Sequence, residues 1–381
     1  MRERLLFISR LENGESMAQV CRDFGVSRVT GYKFWNRYNQ VGLDGLNDLS
    51  RRPYTNPRKT QEIIVDLILQ LKQEKPHWGA LKIRELLRRR HPGVPVPARS
   101  TIDALFNQHD LVKKRRRNRA LLKAKPTDLL PGEAANDLWC IDFKGQFRLG
   151  DQSYCYPLTI TDFHSRFLIG CEALEGVNGG PVFTAFEQVF EQYGLPNRIR
   201  SDNGSPFAST SLLGLTVLSV WFLRLGIGLE RITPGNPQQN GQHERMHRTL
   251  KLEATKPAEA NILKQQERLD KFRREFNEER PHQAINLRTP SELYSASLQK
   301  YQRVLNDLEY PHHEIVRRVD PEGRIHFDGN GSSRKRFRVG SAFRGEKIGI
   351  KMRGDDLWDV DFMHYNLGLY NETNNEFIPL A

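Results

Sequence analysis

The chain has 381 residues, enough for two to four domains that each bury a core, so no disulfide or metal staple is needed to explain folding. Its longest apolar stretch, residues 212–225, is interrupted by Gly214, Thr216, Ser219 and Arg224 and is shorter than the roughly 20 residues that span a bilayer, and the amino terminus carries no signal-like apolar segment, so a membrane is excluded and a cytoplasmic protein is expected. The net charge of +12 is uneven: residues 1–130 hold 27 Lys/Arg against 13 Asp/Glu and the rest 31 against 33, which points to a polyanion partner for the first third.

From Ser16 the pattern predicts a short helix with Met17, Val20 and Cys21 turned inward, then a turn at Gly25. Ser27 is placed to cap a second helix over residues 28–38. That helix carries Arg28, Thr30, Lys33 and Arg37 among Val29, Tyr32, Trp35 and Tyr38, the layout of a helix-turn-helix, and these four polar residues are the candidate DNA contacts of a first domain, 1–50. Residues 42–59, rich in Gly, Asn, Asp, Pro and Arg, read as a linker.

A second helical domain, 57–112, places Ile63, Ile64, Leu67, Ile68 and Leu71 at helical spacing, a second helix over 80–90, and a third over 101–109 capped by Ser100. This again suits a helix-turn-helix or winged-helix module, with Trp78 as a core anchor. The run Lys113, Lys114, Arg115, Arg116 and Arg117 opens a basic linker, 113–136, and offers phosphate contacts. Cys21, Cys140, Cys155 and Cys171 stand singly, with no Cys-x-x-Cys pair, and read as buried reduced thiols.

Near Asp137 the pattern changes from helical to alternating. Strands are expected around 139–145, 154–162 and 167–174, then a helix over 181–193, a short strand at 198–201 and a helix through 212–225, which together indicate an α/β layer with a mixed sheet. Asp142 lies inside an apolar strand, where a carboxylate is costly unless paired, hydrogen-bonded or bound to a cation. Asp202 stands at the carboxyl end of a strand and Glu244 in the first turns of a helix, and three oxygen ligands without cysteine suit hard Mg2+ or Mn2+.

Trp139-x-x-Asp142-Phe143, Ser201-Asp202-Asn203-Gly204 and Pro237-x-x-Asn240-Gly241-x-x-Glu244-Arg245-x-His247-Arg248-Thr249-Leu250-Lys251 resemble the core of the retroviral integrase superfamily in its bacterial insertion-sequence transposase branch. Asn277-x-x-Arg280-Pro281-His282 and Thr289-Pro290 are similar to that branch too. The resemblance covers residues 137–297. It implies a ribonuclease H-like fold in which Asp142, Asp202 and Glu244 hold two Mg2+ (or Mn2+) ions for DNA strand cleavage and strand transfer, Asp142 bridging both. It also implies double-stranded DNA partners, element ends and target, met in part by Arg245, Arg248 and Lys251, and a homo-oligomer on DNA. The interval 203–243 is longer than the commonest spacing of the superfamily, and its apolar segment reads as a helix or loop extension.

Residues 311–381 show short alternating runs separated by Gly-containing turns and suggest a small, SH3-like β-barrel in which Arg334, Lys335, Arg336 and Arg338 face DNA or guard an edge strand. The expected architecture is therefore multidomain: helical modules, an α/β ribonuclease H-like core and a small barrel. Two rivals remain. His243-Glu244-Arg245-Met246-His247 fits the zinc-protease pattern His-Glu-x-x-His, although a protease has no use for the two aspartates. A DNA-binding regulator that kept the fold and lost activity is the other, and the presence of all three carboxylates argues against it.

Overall fold

The computed structural model describes residues 2–49, 59–112, 129–211, 213–327, 335–354 and 356–380; the basic run at 113–117 and Arg334 lie outside them. The chain divides into two units, Met1–Gln61 and Glu62–Ala381. In the first, α1 (Arg2–Glu12), α2 (Met17–Asp23) and α3 (Arg28–Val41) enclose Phe7, Ile8, Val20, Cys21 and Leu46. Ser16 and Ser27 cap α2 and α3, each hydroxyl accepting from a backbone N–H three residues on, the second as the sequence predicts. Gly31 permits the close crossing of α2 and α3, since a Cβ there would sit 2.5 Å from Cys21 Sγ and 2.8 Å from Met17 Sδ. The linker reading of 42–59 fails at its start: Gly42–Leu46 forms a 3-10 turn whose Leu46 is buried and completes this small core.

The second unit begins with α4 (Glu62–Glu74), α5 (Ala80–Arg90) and α6 (Arg99–Gln108), packed around Ile68, Trp78, Ile83, Leu87 and Phe106. Trp78 is a core anchor, as expected. Ser100 is not the cap of α6: Ala98 holds that position, and the serine lies inside the first turn. Ion pairs Lys75–Glu275 (2.7 Å), Arg89–Glu292 (2.6 Å) and Arg90–Glu279 (3.1 Å) tie these helices to the residues that follow α10 below.

A mixed sheet comes next, built from β1 (Leu138–Phe143), β2 (Phe147–Arg148), β3 (Tyr154–Asp162), β4 (Leu168–Leu174), β5 (Arg198–Ser201) and β6 (Gly228–Arg231). β3 pairs antiparallel with β1, β2 and β4, whereas β5 runs parallel to β1 and β6 parallel to β5. Alternation along β1 sends Trp139 and Ile141 toward α7 (Gly180–Tyr193) and α8 (Val217–Arg224), and leaves Cys140 and Asp142 on the other face. That second face is covered by α9 (Gly241–Glu253) and α10 (Ile262–Arg274) through Met246, Leu250, Ala254, Leu269 and Phe272. All four cysteines are buried and free. This is the mixed-sheet ribonuclease H-like layer that the motifs imply.

The remaining strands, β7 (Ile315–Arg318), β8 (Arg324–Phe327), β9 (Lys335–Arg338), β10 (Lys347–Gly354), β11 (Leu357–Phe362), β12 (Tyr365–Asn371) and β13 (Glu376–Pro379), form a small β domain. It consists of a five-stranded antiparallel sheet and the separate hairpin β8–β9 around one core. Among the described residues no helix is long and apolar enough to cross a membrane.

The apolar interval 212–225 is only partly helical, because α8 starts at Val217 behind a capping box of Thr216 and Ser219. Its apolarity on every side has a cause. Leu218 and Phe222 enter the core under the mixed sheet, while Val220 and Leu223 enter the core of the β domain, so the helix is the joint between them. Truncating Val220 or Leu223 to Ala is expected to cost about 2 kcal/mol. Val220→Asp should release the β domain as a separate unfolding step in urea; a single unshifted transition would show that α8 is not the joint.

Candidate active site

Parallel pairing of β1 with β5 matches Leu138 to Arg198, Trp139 to Ile199 and Cys140 to Arg200. Continuing that register two places brings Asp142 level with Asp202, one residue beyond the end of β5. The loop after Asp202 is shaped to its carboxylate: Gly204 N–H donates to Oδ1 at 3.1 Å, and a Cβ on Gly204 would stand only 3.1 Å from Oδ2. Phe207 anchors the loop by stacking on Phe143, with ring centroids 5.8 Å apart. Arg200, a buried residue of β5, pairs with Glu230 on β6 and donates to the Gln239 carbonyl, linking the sheet to the segment that starts α9.

Glu244 lies in the first turn of α9, and its field and that of Asp202 both reach Asp142. Burial, then the negative charge of Asp202, push the Asp142 carboxyl up to about 7, with Glu244 adding to the effect. The charges of Asp202 and Glu244 thus both act on Asp142.

What seats α9 against β1 and β3 is a network the motifs do not announce. Thr159 pairs with Asp142 across the strands, and its hydroxyl donates to the Asp142 carbonyl at 3.0 Å. The same oxygen lies 2.7 Å from Nε2 of both His243 and His247, and Thr161 Oγ1 lies 2.7 Å from His243 Nδ1. Proton counting assigns the roles: Thr159 has spent its one hydrogen, so both Nε2 atoms donate to it, and Thr161 donates to His243 Nδ1. Burial holds both imidazoles neutral, His243 down at about 3 and His247 at about 2. The 3.6 Å approach of His247 Nδ1 to Asp142 Oδ2 is then not an ion pair but two lone pairs facing each other, which a proton or a cation must reconcile.

Asp142, His243 and His247 offer ligand atoms within 4.8 Å of one another. His243, however, has both ring nitrogens engaged by threonine hydroxyls, so the zinc reading of His-Glu-x-x-His finds no support: those histidines pack the helix. Asp142, raised by burial and like charge and facing a lone pair, is where a cation would be favourable. Alternating threonines in an apolar strand and histidines four apart on an amphipathic helix were the available signal for this network.

Arg245, Arg248 and Lys251 are exposed on α9. On α3, Arg28, Val29, Tyr32, Lys33 and Asn36 are exposed along one face, Arg37 is half-buried, and Thr30 shares a hydrogen bond with the capping Ser27. Val29, 80% exposed, and Tyr32 are apolar or aromatic groups left open beside the polar candidates.

Residues 132–237 and 225–290 each match a family described as "Integrase core domain". Residues 3–54 match a "Helix-turn-helix domain" and 30–106 a "Homeodomain-like domain". The chain is 27% identical over 244 residues to the "Insertion element IS407 uncharacterized 31.7 kDa protein" of Burkholderia multivorans, covering 62% of this chain and 82% of that one. It is 25% identical over 290 residues to the "Insertion element IS476 uncharacterized 39.2 kDa protein" of Xanthomonas euvesicatoria, covering 76% and 81%. Among solved structures, the HTLV-2 integrase catalytic core domain in complex with magnesium aligns with 43% of this chain and 99% of its own, at 16% identity and a TM-score of 0.34.

Two outcomes follow from the network. Thr159→Val strands two buried imidazole N–H groups and should cost about 2 to 4 kcal/mol in denaturant unfolding, more than Thr161→Val; equal or negligible losses would break the assignment. The depressed imidazole values also make the fold acid-labile: unfolded histidine, near 6.5, takes up protons that the folded network refuses, so this contribution is full above about 6.5 and is lost as pH falls toward 3. His243→Gln should flatten that part of the stability profile.

Proposed function

We propose, for a chain that carries an integrase core behind helix-turn-helix domains, that it is a transposase: it binds the inverted-repeat ends of its element and catalyses DNA strand cleavage and strand transfer. The observations that support this reading are the strand register that sets Asp142 level with Asp202 and the charges of Asp202 and Glu244 that act on the Asp142 carboxyl, held up at about 7 by burial and like charge. Integrase-type cores use divalent metal ions, and these three carboxylates are the ligands for Mg2+ or Mn2+, two ions in all. Bound there, the ions supply the charge that activates the attacking oxygen and stabilises the leaving one. The chain's own part is positioning. Strand pairing sets Asp142 and Asp202 at one level, Gly204 N–H orients the second carboxylate, and the histidine–threonine network fixes the helix that presents Glu244.

DNA selection belongs to the amino-terminal helices, with the exposed face of α3 in the major groove and Arg28 and Lys33 as its cationic contacts. Thr30, Arg37, the 113–117 run, Arg245, Arg248 and Lys251 complete the proposed DNA contacts. Concerted joining of two ends requires two active sites, so the working form is a homo-oligomer on paired ends.

Asp142→Asn and Asp202→Asn should abolish Mg2+-dependent nicking of end-bearing DNA while leaving DNA binding nearly intact, and Glu244→Gln should do the same. Nicking by Asp142→Asn at the wild-type rate would overturn the reading. The histidines are positioning residues, so His243→Ala with His247→Ala should retain more nicking than Glu244→Gln.

Metal-free protein gives an independent readout. A carboxyl raised to about 7 contributes stability that is full below about 4 and lost as pH rises through 7. Asp142→Asn should therefore stabilise the metal-free chain above pH 7, by about 1 to 2 kcal/mol after allowance for its solvent-facing side, and should lose the thermal upshift that Mg2+ gives the wild type. Thermal melts at pH 5 and pH 8, with and without Mg2+, measure both.

A further inference from the structure

On the flank of α9 away from Glu244 lies a cavity of about 400 Å³ that none of the catalytic carboxylates lines. Its walls bring together Lys82 of α5, Arg166 of the turn between β3 and β4, Arg245 and Arg248 of α9, and Arg280 and His282. The carboxylates at hand are already engaged. Asp162 accepts from Asn136 N–H and from the N–H and hydroxyl of Ser165, and Glu253 takes both contacts of Arg280 Nη1, at 2.7 and 2.9 Å. Arg166 Nε and His282 Nε2 are buried without a hydrogen-bond partner among the described residues. Lys82 has no ion pair there either, and only approaches the Trp78 ring, at 5.9 Å.

The cost of this arrangement is visible in each group. Burial and then Arg280 bring the Lys82 ammonium down to about 7. Burial, then Lys82 and Arg280, hold His282 at about 3, and burial lowers Arg166. Lys82 and Arg166 have no ion pair among the described residues, Arg280 repels Lys82, and Arg166 Nε–H stays unpaired beside the neutral His282, which leaves a site short of an anion, because an unpaired buried polar group costs about 1 to 3 kcal/mol. Two of the groups are guanidiniums beside a lysine, a donor set suited to phosphate oxygens, and the mouth is edged by the exposed Arg245 and Arg248.

We propose that this cavity is a second DNA-binding site, in which Lys82, Arg166 and Arg280 receive, beside His282, a backbone phosphate of a duplex that lies across its mouth. It adds to the contacts above a set of residues from two parts of the fold, so a duplex seated here fastens α5 to the catalytic helix. The proposal rests on the reading of the chain as a DNA-binding protein. The chemistry recognised is phosphate, as a diester in DNA or as a free anion, and the occupant argued for is the diester, since the cavity opens onto exposed arginines rather than closing over its contents.

The test uses the full chain and a 30-base-pair duplex of arbitrary sequence, about three helical turns. Binding is measured from about 50 to 200 mM salt for wild type, Lys82→Met and Arg166→Asn. Each substitution should make the salt dependence shallower by about one phosphate contact, whatever the duplex sequence. In the absence of DNA, Lys82→Met should melt no lower than wild type, because it removes repulsion, whereas a purely structural lysine would leave a less stable protein with the same salt slope. Imidazole nitrogen shifts of His282 should move on adding the duplex and not on adding millimolar inorganic phosphate. A response to phosphate alone, with DNA binding unaltered by both variants, would make this a free-anion site and overturn the proposal, as would unchanged slopes. Failure of the wild type to bind any duplex would instead overturn the transposase reading itself.

Discussion

The parallel contact between β1 and β5 is the constraint from which the site follows. It sets two aspartates level on neighbouring strands, and the alternation of β1 turns Trp139 and Ile141 into one core and Asp142 out toward α9. The Asp142 carboxylate is not stabilised by its surroundings in the usual way, since no arginine or lysine pairs with it among the described residues. Packing energy from the apolar half of the strand offsets the electrostatic cost of the other half, a cost that the proposed divalent cation would remove. Stability and chemistry are thus opposed at one strand, and the rest of the core is arranged to keep that opposition in register.

Two further elements keep it there. α9 would be free to slide along the sheet if only Met246 and Leu250 held it, because apolar contacts specify area more than position. Hydrogen bonds between the imidazoles of His243 and His247 and two threonine hydroxyls specify position, and so fix where Glu244 stands relative to Asp142. α8 does the corresponding work on the opposite face, where it serves two cores at once and couples the β domain to the sheet that carries the aspartates.

Much of this was legible in the sequence, and unevenly so. The capping Ser27, the inward pattern after Ser16 and the alternation around Asp142 are local signals, and the helices and strand they predict are present. α10 was not anticipated, because its apolar residues, Ile262, Leu263, Leu269 and Phe272, are few among charges, and α1 and the four-residue β6 were not anticipated either. Ser100 looks like a cap by type, but α6 starts one residue before it. Residues 212–225 read as one long helix because burial on both sides erases the periodicity that marks a helix with a wet face. For the site, the three acids stood out through family resemblance. The histidine–threonine network did not, because threonine in a strand is ordinary and the partner helix lies some eighty residues away. The basic cavity beside Lys82 was equally hidden, since its members come from four separate segments.

The central claim is that Asp142, Asp202 and Glu244 together hold divalent metal. The most direct measurement is a crystal of the full chain soaked in Mn2+, with anomalous scattering used to find the ions. Manganese peaks bounded by Asp142, Asp202 and Glu244, with His243 still held by Thr159 and Thr161, are the expected result. A peak bound by His243 and His247 with Asp142, or none near Asp202 and Glu244 at saturating Mn2+, would contradict the account.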